Sequence, residues 1–308
     1  MSFGFGDASL IMLGLLLMAL PGFLLVKFKA VNPDSIPAVA KIILYCSQPF
    51  LMISIFDDAS FSGSDLVNIG VVFAVAFAFY IVFTLTLPLI FKFIKNDKTR
   101  RSLAFGSIYG NVGFMGIPVV KALLPGNTTA LVYVAFIMLV FNICAYVLGV
   151  WAITEDKKNI SPVKIFLNPV MLGVYVGATL FFTGVKLPPF LASATQSLGS
   201  FCIPVSMVML GMRFATVKFS EIVKNWYCHI AMLLKLLIFP LLIYAVLLPF
   251  NVDPMVKLTL VITFAMPTAS IALMFSEAYD QDGKSVSQLM VEASILSAVT
   301  VPLLTMLF

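Results

Sequence analysis

The chain is poor in the groups that most enzymes and nucleic-acid binders rely on. Its 308 residues include one histidine, His229, two tryptophans and four cysteines, and only 11% of positions are charged. A soluble domain averages roughly 25% charged residues, so that class is excluded. Cys46, Cys144, Cys202 and Cys228 all fall in or beside apolar runs and form no CxxC pair. Neither a disulfide framework nor a zinc site is expected from such spacing. The nucleotide-binding pattern GxxxxGK[ST] is missing as well, so any work the protein does should draw on a gradient rather than on ATP. No cofactor is implied, and no nucleic-acid partner.

What remains is apolar. Hydrophobic residues fill 61% of the chain and mean hydropathy is +1.08, which describes a polytopic membrane protein bathed in lipid. The chain opens with Asp7 and no basic stretch, so no cleaved signal peptide is expected. With about 20 residues per crossing, ten spans are predicted near 8–26, 37–56, 66–91, 102–124, 129–152, 165–184, 190–212, 226–249, 255–276 and 286–307. Fourteen lysines and arginines fall in the loops that join odd spans to even ones, among them Lys92, Lys95, Lys98, Arg100, Arg101, Lys157 and Lys164; Lys186 and Lys257 fall on the other side. Basic loops stay cytoplasmic, which places both termini outside the cytoplasmic membrane.

The polar stretch Thr154–Lys164 divides the spans five and five. Because five is odd, the second set is inverted relative to the first, as in many carriers. The expected units are residues 1–153, a linker at 154–164 and residues 165–308. Span 4 holds Ala104–Pro118, AFGSIYGNVGFMGIP, with Gly106, Gly110, Gly113 and Gly116 around Asn111 and ending on Pro118. Glycine costs a helix about 1 kcal/mol relative to alanine, and proline removes a hydrogen bond and clashes with the preceding turn, so a break is predicted there. Span 9, its expected counterpart, reads Thr263-Phe264-Ala265-Met266-Pro267-Thr268-Ala269-Ser270. Interrupted spans at matching positions of two halves mark the binding sites of many transporters. Weaker echoes join Tyr45-Cys46-Ser47-Gln48-Pro49 of span 2 to Phe201-Cys202-Ile203-Pro204 of span 7.

Asn111-Val112-Gly113-Phe114-Met115-Gly116-Ile117-Pro118 resembles the signature of the auxin efflux carrier family, which includes plant auxin (PIN) carriers and bacterial permeases of organic acids. Ala265-Met266-Pro267 followed by Phe275-Ser276-Glu277-Ala278-Tyr279 is similar to that family's proline-broken ninth span and its exit. The resemblance covers the full length and implies an all-α fold of two inverted five-helix repeats. Spans 4 and 9 would cross as broken helices in a transport domain made of spans 3–5 and 8–10, against a scaffold of spans 1, 2, 6 and 7. It also implies elevator-like alternating access and allows a homodimer through the scaffold. Where the plant carriers have a proline before the span-4 asparagine, this chain has Gly110. The long central loop of plant members is absent, and substrate identity does not carry over.

Several residues become candidates. Asn111 can donate to a carboxylate beside the positive end of a half-helix. Gly110 and Gly113 shape the opening, Gly116 and Pro118 break the helix, and Pro267, Thr268 and Ser270 face the site from span 9. Lys235, near the middle of span 8, must face the protein interior, either to balance an anion or to pair with Glu292. Glu292 is the carboxylate deepest in a span and, with His229, the candidate for proton coupling. Lys41 and Lys121 are expected to snorkel. Asn142 is expected to bond between helices, and Gly106-xxx-Gly110 and Gly173-xxx-Gly177 to form packing faces. Gly4-Phe5-Gly6-Asp7 and Tyr279-Asp280 mimic the GxGD and YD of intramembrane aspartyl proteases, but in reversed order and outside the spans, so no enzyme is expected. The expected function is secondary transport of a small mono- or dicarboxylate such as malate or malonate, coupled to protons, to sodium or to neither. The alternatives are a sodium-coupled symporter of another organic anion, or a channel or ligand sensor on the same scaffold.

Overall fold

The computed structural model describes residues 5–308 apart from 61, 157, 159 and 161, with their side chains except those of 64, 162 and 164. Gly4, Lys157 and the Lys164 side chain therefore lie outside the described residues. Every regular element described is helical. In chain order the main helices are α1 (Phe5–Lys27), α2 (Pro33–Asp58), α3 (Gly63–Ile90), α4 (Asp97–Ile108), α5 (Val112–Leu123) and α6 (Thr128–Thr154). They are followed by α7 (Pro169–Thr183), α8 (Pro189–Thr216), α9 (Trp226–Leu247), α10 (Pro254–Phe264), α11 (Ser270–Ala278) and α12 (Gly283–Thr305). Seven of these segments, α1, α2, α3, α6, α8, α9 and α12, are long and apolar enough to cross a membrane. The apolar helices α5, α7 and α10 are shorter, at 10–17 residues. The predicted span 4 is two pieces, α4 and α5, and the predicted span 9 is α10 and α11.

Polar residues in the connections start these helices. Asn96, Asn127, Asn168, Asp253 and Asp282 each accept a backbone N–H from the first turn of the helix that follows. Such caps satisfy donors that the helix itself leaves open. Prolines act deeper in the chain. The widened five-residue turns at Ile43–Ser47, Val112–Gly116 and Leu234–Ile238 each precede a proline by two positions: Pro49, Pro118 and Pro240. A proline ring cannot sit over the carbonyl four residues back, and a π-turn opens the spacing that accommodates it.

Packing among α1, α2, α7 and α8 rests on glycine. A Cβ on Gly173 would lie 2.5 Å from the carbonyl oxygen of Pro49, and one on Gly177 the same distance from the Phe56 ring. Gly22 and Gly211 sit so close to the backbone carbonyls of Val208 and Ala19 that neither has room for a Cβ. Helices in lipid gain no hydrophobic drive toward each other, so close backbone approach supplies the contact. Gly211→Val should force α1 and α8 apart at a cost of about 1–3 kcal/mol, read as a lower melting temperature of the purified protein. Gly70→Ala, in a helix where a Cβ meets nothing within 4 Å, should leave it unchanged or higher; equal melting of both variants would contradict this packing.

Candidate functional site

Two helix breaks meet inside the protein. Between α4 and α5 the chain leaves the helix extended at Tyr109 and passes through Gly110 and Asn111, and between α10 and α11 it runs through Ala265–Ala269. Gly110 and Thr268 form an isolated antiparallel bridge. The Asn111 N–H donates to the Pro267 carbonyl at 2.6 Å, and the Ala269 N–H donates to the Tyr109 carbonyl at 3.0 Å. Each break thereby supplies the partner the other needs, as buried backbone must. The carbonyls at the end of α4 are met by side chains: the Thr268 hydroxyl donates to Gly106 at 3.0 Å, and the Lys235 ammonium to Ile108 at 3.1 Å.

The beginnings of α5 and α11 are less fully satisfied. Asn111 caps α5 through its side-chain oxygen, which accepts from the Phe114 N–H at 3.0 Å. The Gly113 N–H has no acceptor among the described residues. At α11 the cap position is Ala269, whose side chain cannot accept, and the Ser270 and Ile271 N–H groups likewise have no acceptor among the described residues. Gly113, Ser270 and Ile271 all line one cavity of about 100 Å³. Each helix start carries about half a positive charge. A cavity on which two helix starts converge, with N–H groups left over, suits an anion.

Of the predicted residues, the structure brings Gly110, Asn111, Gly113 and Ser270 to this cavity. Pro267 and Thr268 lie in the crossing itself, their polar atoms taken by Asn111 and Gly106. Gly116 belongs to the π-turn of α5 and packs beside Met266, and Pro118 follows that turn. Lys235 is fully buried behind Gly110, away from the cavity lining. Its pairing with Glu292 does not form. The widened turn of α9 sends Lys235 to the crossing, and Glu292 instead meets His229, Nδ1 to Oε1 at 2.5 Å. Asn142 also differs from expectation: it donates to Met138 within its own helix at 2.8 Å while lining the cavity. Asp280 pairs with Lys98 at 2.5 Å on the exposed surface.

Other lining residues escaped sequence reasoning. Gln48 of α2 is buried, with its amide nitrogen 3.6 Å from the Met138 sulfur, and a Cβ on Gly113 would come within 2.5 Å of that amide. Its signal was the polar pair Ser47-Gln48 before a proline in an apolar span. Lys41 lines the cavity instead of merely snorkelling, and Tyr146 lines it from α6.

Seven helices long and apolar enough to cross a membrane, with two broken ones meeting at their breaks, describe an integral membrane protein. A family model described as membrane transport protein matches residues 8–305. The chain belongs to that family, the auxin efflux carrier family. No curated protein matches it individually.

The open start of α11 yields a test. Ala269→Asp supplies the missing cap, worth about 0.5–2 kcal/mol, and places a carboxylate where the cavity would hold an anion. The variant should melt no lower than the parent protein and lose the thermal shift produced by malate, malonate or indole acetate, whichever shifts the parent. A retained shift would place the anion elsewhere.

Proposed function

We propose that the protein is a secondary carrier of small organic anions, mono- or dicarboxylates such as malate or malonate. The observation that carries this reading is the convergence of the α5 and α11 starts, with the unaccepted N–H groups of Gly113, Ser270 and Ile271, on one cavity. In this reading the substrate carboxylate takes those N–H groups and the Asn111 side-chain amide, while Gln48 and Asn142 offer further polar contacts. Phe114, Phe141 and Met138 face the hydrocarbon part of the anion.

We read the chain as ten spans in the cytoplasmic membrane, with both termini outside and two inverted halves at 1–153 and 165–308. Two observations support the inversion. The breaks of α4–α5 and α10–α11 occupy the fourth and ninth places of a ten-span count. The glycine-mediated contact of α1 with α8 also has a counterpart, α7 with α2, when the halves are exchanged. Spans 1, 2, 6 and 7 then form the scaffold, and the crossing moves against it in an elevator. With the basic loops inside, exposed Lys41 marks the cavity as facing the cytoplasm and draws anions toward it.

Proteoliposomes preloaded with unlabelled anion test the transport claim directly. Labelled malate, malonate or indole acetate should accumulate by counterflow, with trans-stimulation. Flux without trans-stimulation would indicate a channel, and no flux of any of the three would refute an organic-anion carrier. The His229–Glu292 pair, whose Glu292 Oε2 is buried without a hydrogen-bond partner among the described residues, is our candidate for proton coupling. Glu292→Gln should flatten the pH dependence of uptake; an unchanged profile would leave the pair a structural one.

A further inference from the structure

We propose that the Lys235 ammonium occupies the cation position of the crossing as a permanent part of the chain, so that transport proceeds without sodium. The proposal rests on the carrier reading and adds the identity of the ion that completes the site. Where transporter helices are interrupted, freed carbonyls and half-helix C-terminal ends hold the coupling cation, as half-helix starts hold the anion. Here α4 ends at the crossing on Ile108, whose carbonyl is met by a group that does not line the cavity of the two helix starts.

The ammonium is already at that place. Lys235 Nζ donates to the Ile108 carbonyl, the last of α4, at 3.1 Å. A Cβ built on Gly110 would collide with Nζ and lie 2.8 Å from Lys235 Cε and 2.9 Å from the carbonyl oxygen of Met266. The Ile108 carbonyl of the first interrupted segment thus accepts from the ammonium, and the Met266 carbonyl of the second borders the same space beside Gly110. Lys235 has 0% exposure, and among the described residues no carboxylate lies within salt-bridge distance of it. An ammonium stripped of water is costly in a membrane, and backbone dipoles are the counter-charge available to this one. Its reach depends on two local features. The π-turn Leu234–Ile238, opened ahead of Pro240, carries Lys235, and glycine at 110 leaves the path free. A tethered cation cannot exchange with solution, so no sodium gradient can be spent through it.

A purely structural strut would share the geometry but not the response to added cations. Purified protein is melted, and counterflow of the best-exchanged anion is measured, in sodium chloride and in N-methylglucamine chloride. The parent protein should show the same melting temperature and the same rate in both; a sodium requirement or a sodium-induced rise in melting temperature would overturn the proposal. Lys235→Ala should melt lower and exchange at least about ten-fold more slowly. Sodium chloride or ethylammonium chloride should restore part of both losses, and N-methylglucamine chloride should restore neither. Failure of both small cations to restore either property would overturn the proposal. If Lys235→Ala gives no folded protein, Lys235→Gln is tested against the same salts with the same outcomes. Absence of counterflow by the parent protein in every salt would count against the carrier reading alone, because the melting measurements still report whether the position responds to cations.

Discussion

Hydrocarbon offers no partner to a broken backbone, and each unmet N–H or C=O group there costs several kcal/mol. Two helices of this protein are nonetheless broken between their apolar ends, at Tyr109–Asn111 and Ala265–Ala269, and each break is tolerable because the other exists. Two backbone hydrogen bonds, Asn111 to Pro267 and Ala269 to Tyr109, close the pair into a short antiparallel bridge. The hydroxyl of Thr268 and the ammonium of Lys235 take carbonyls at the end of α4. Gly110 permits the approach of Lys235, and Pro118 and Pro240 set the widened turns on either side. Remove the bridge and these neighbours lose their purpose together.

A consequence is polarity across a few ångströms. The end of α4 meets the buried ammonium, and the starts of α5 and α11 face a cavity. Hydrogen-bond satisfaction is uneven across it. Carbonyls at the end of α4 have side-chain partners, while N–H groups at the starts of α5 and α11 have no acceptor among the described residues. Around this crossing α1, α2, α7 and α8 pack through glycines at backbone distance, a rigid surface of the kind the proposed elevator motion needs.

The breaks were legible in the sequence because they violate local rules: four glycines, an asparagine and a proline inside one apolar run, and Pro267 at the matching depth. The membrane-spanning class is legible in the long apolar runs, and the family in the signature Asn111–Pro118. Other features required the third dimension. An alanine at a cap position, Ala269, gives no signal in a list of polar residues, yet its inability to accept leaves α11 open. Lys235 in an apolar span calls for a partner, but its direction depends on a π-turn that hydropathy does not register. The partner of Glu292 is hidden for the same reason, since His229 lies a full turn and a half along α9 from the expected lysine. Gln48 reads as a packing residue until α2 is laid against α5.

The central claim is that the anion sits on two converging helix starts, and a structure determined with the exchanged anion bound tests it most directly. A carboxylate is expected within hydrogen-bond distance of the Gly113 N–H, the Ser270 or Ile271 N–H and the Asn111 side-chain amide. An anion bound instead in the separate cavity beside Lys121 and Asn127, with no contact to either helix start, would contradict it.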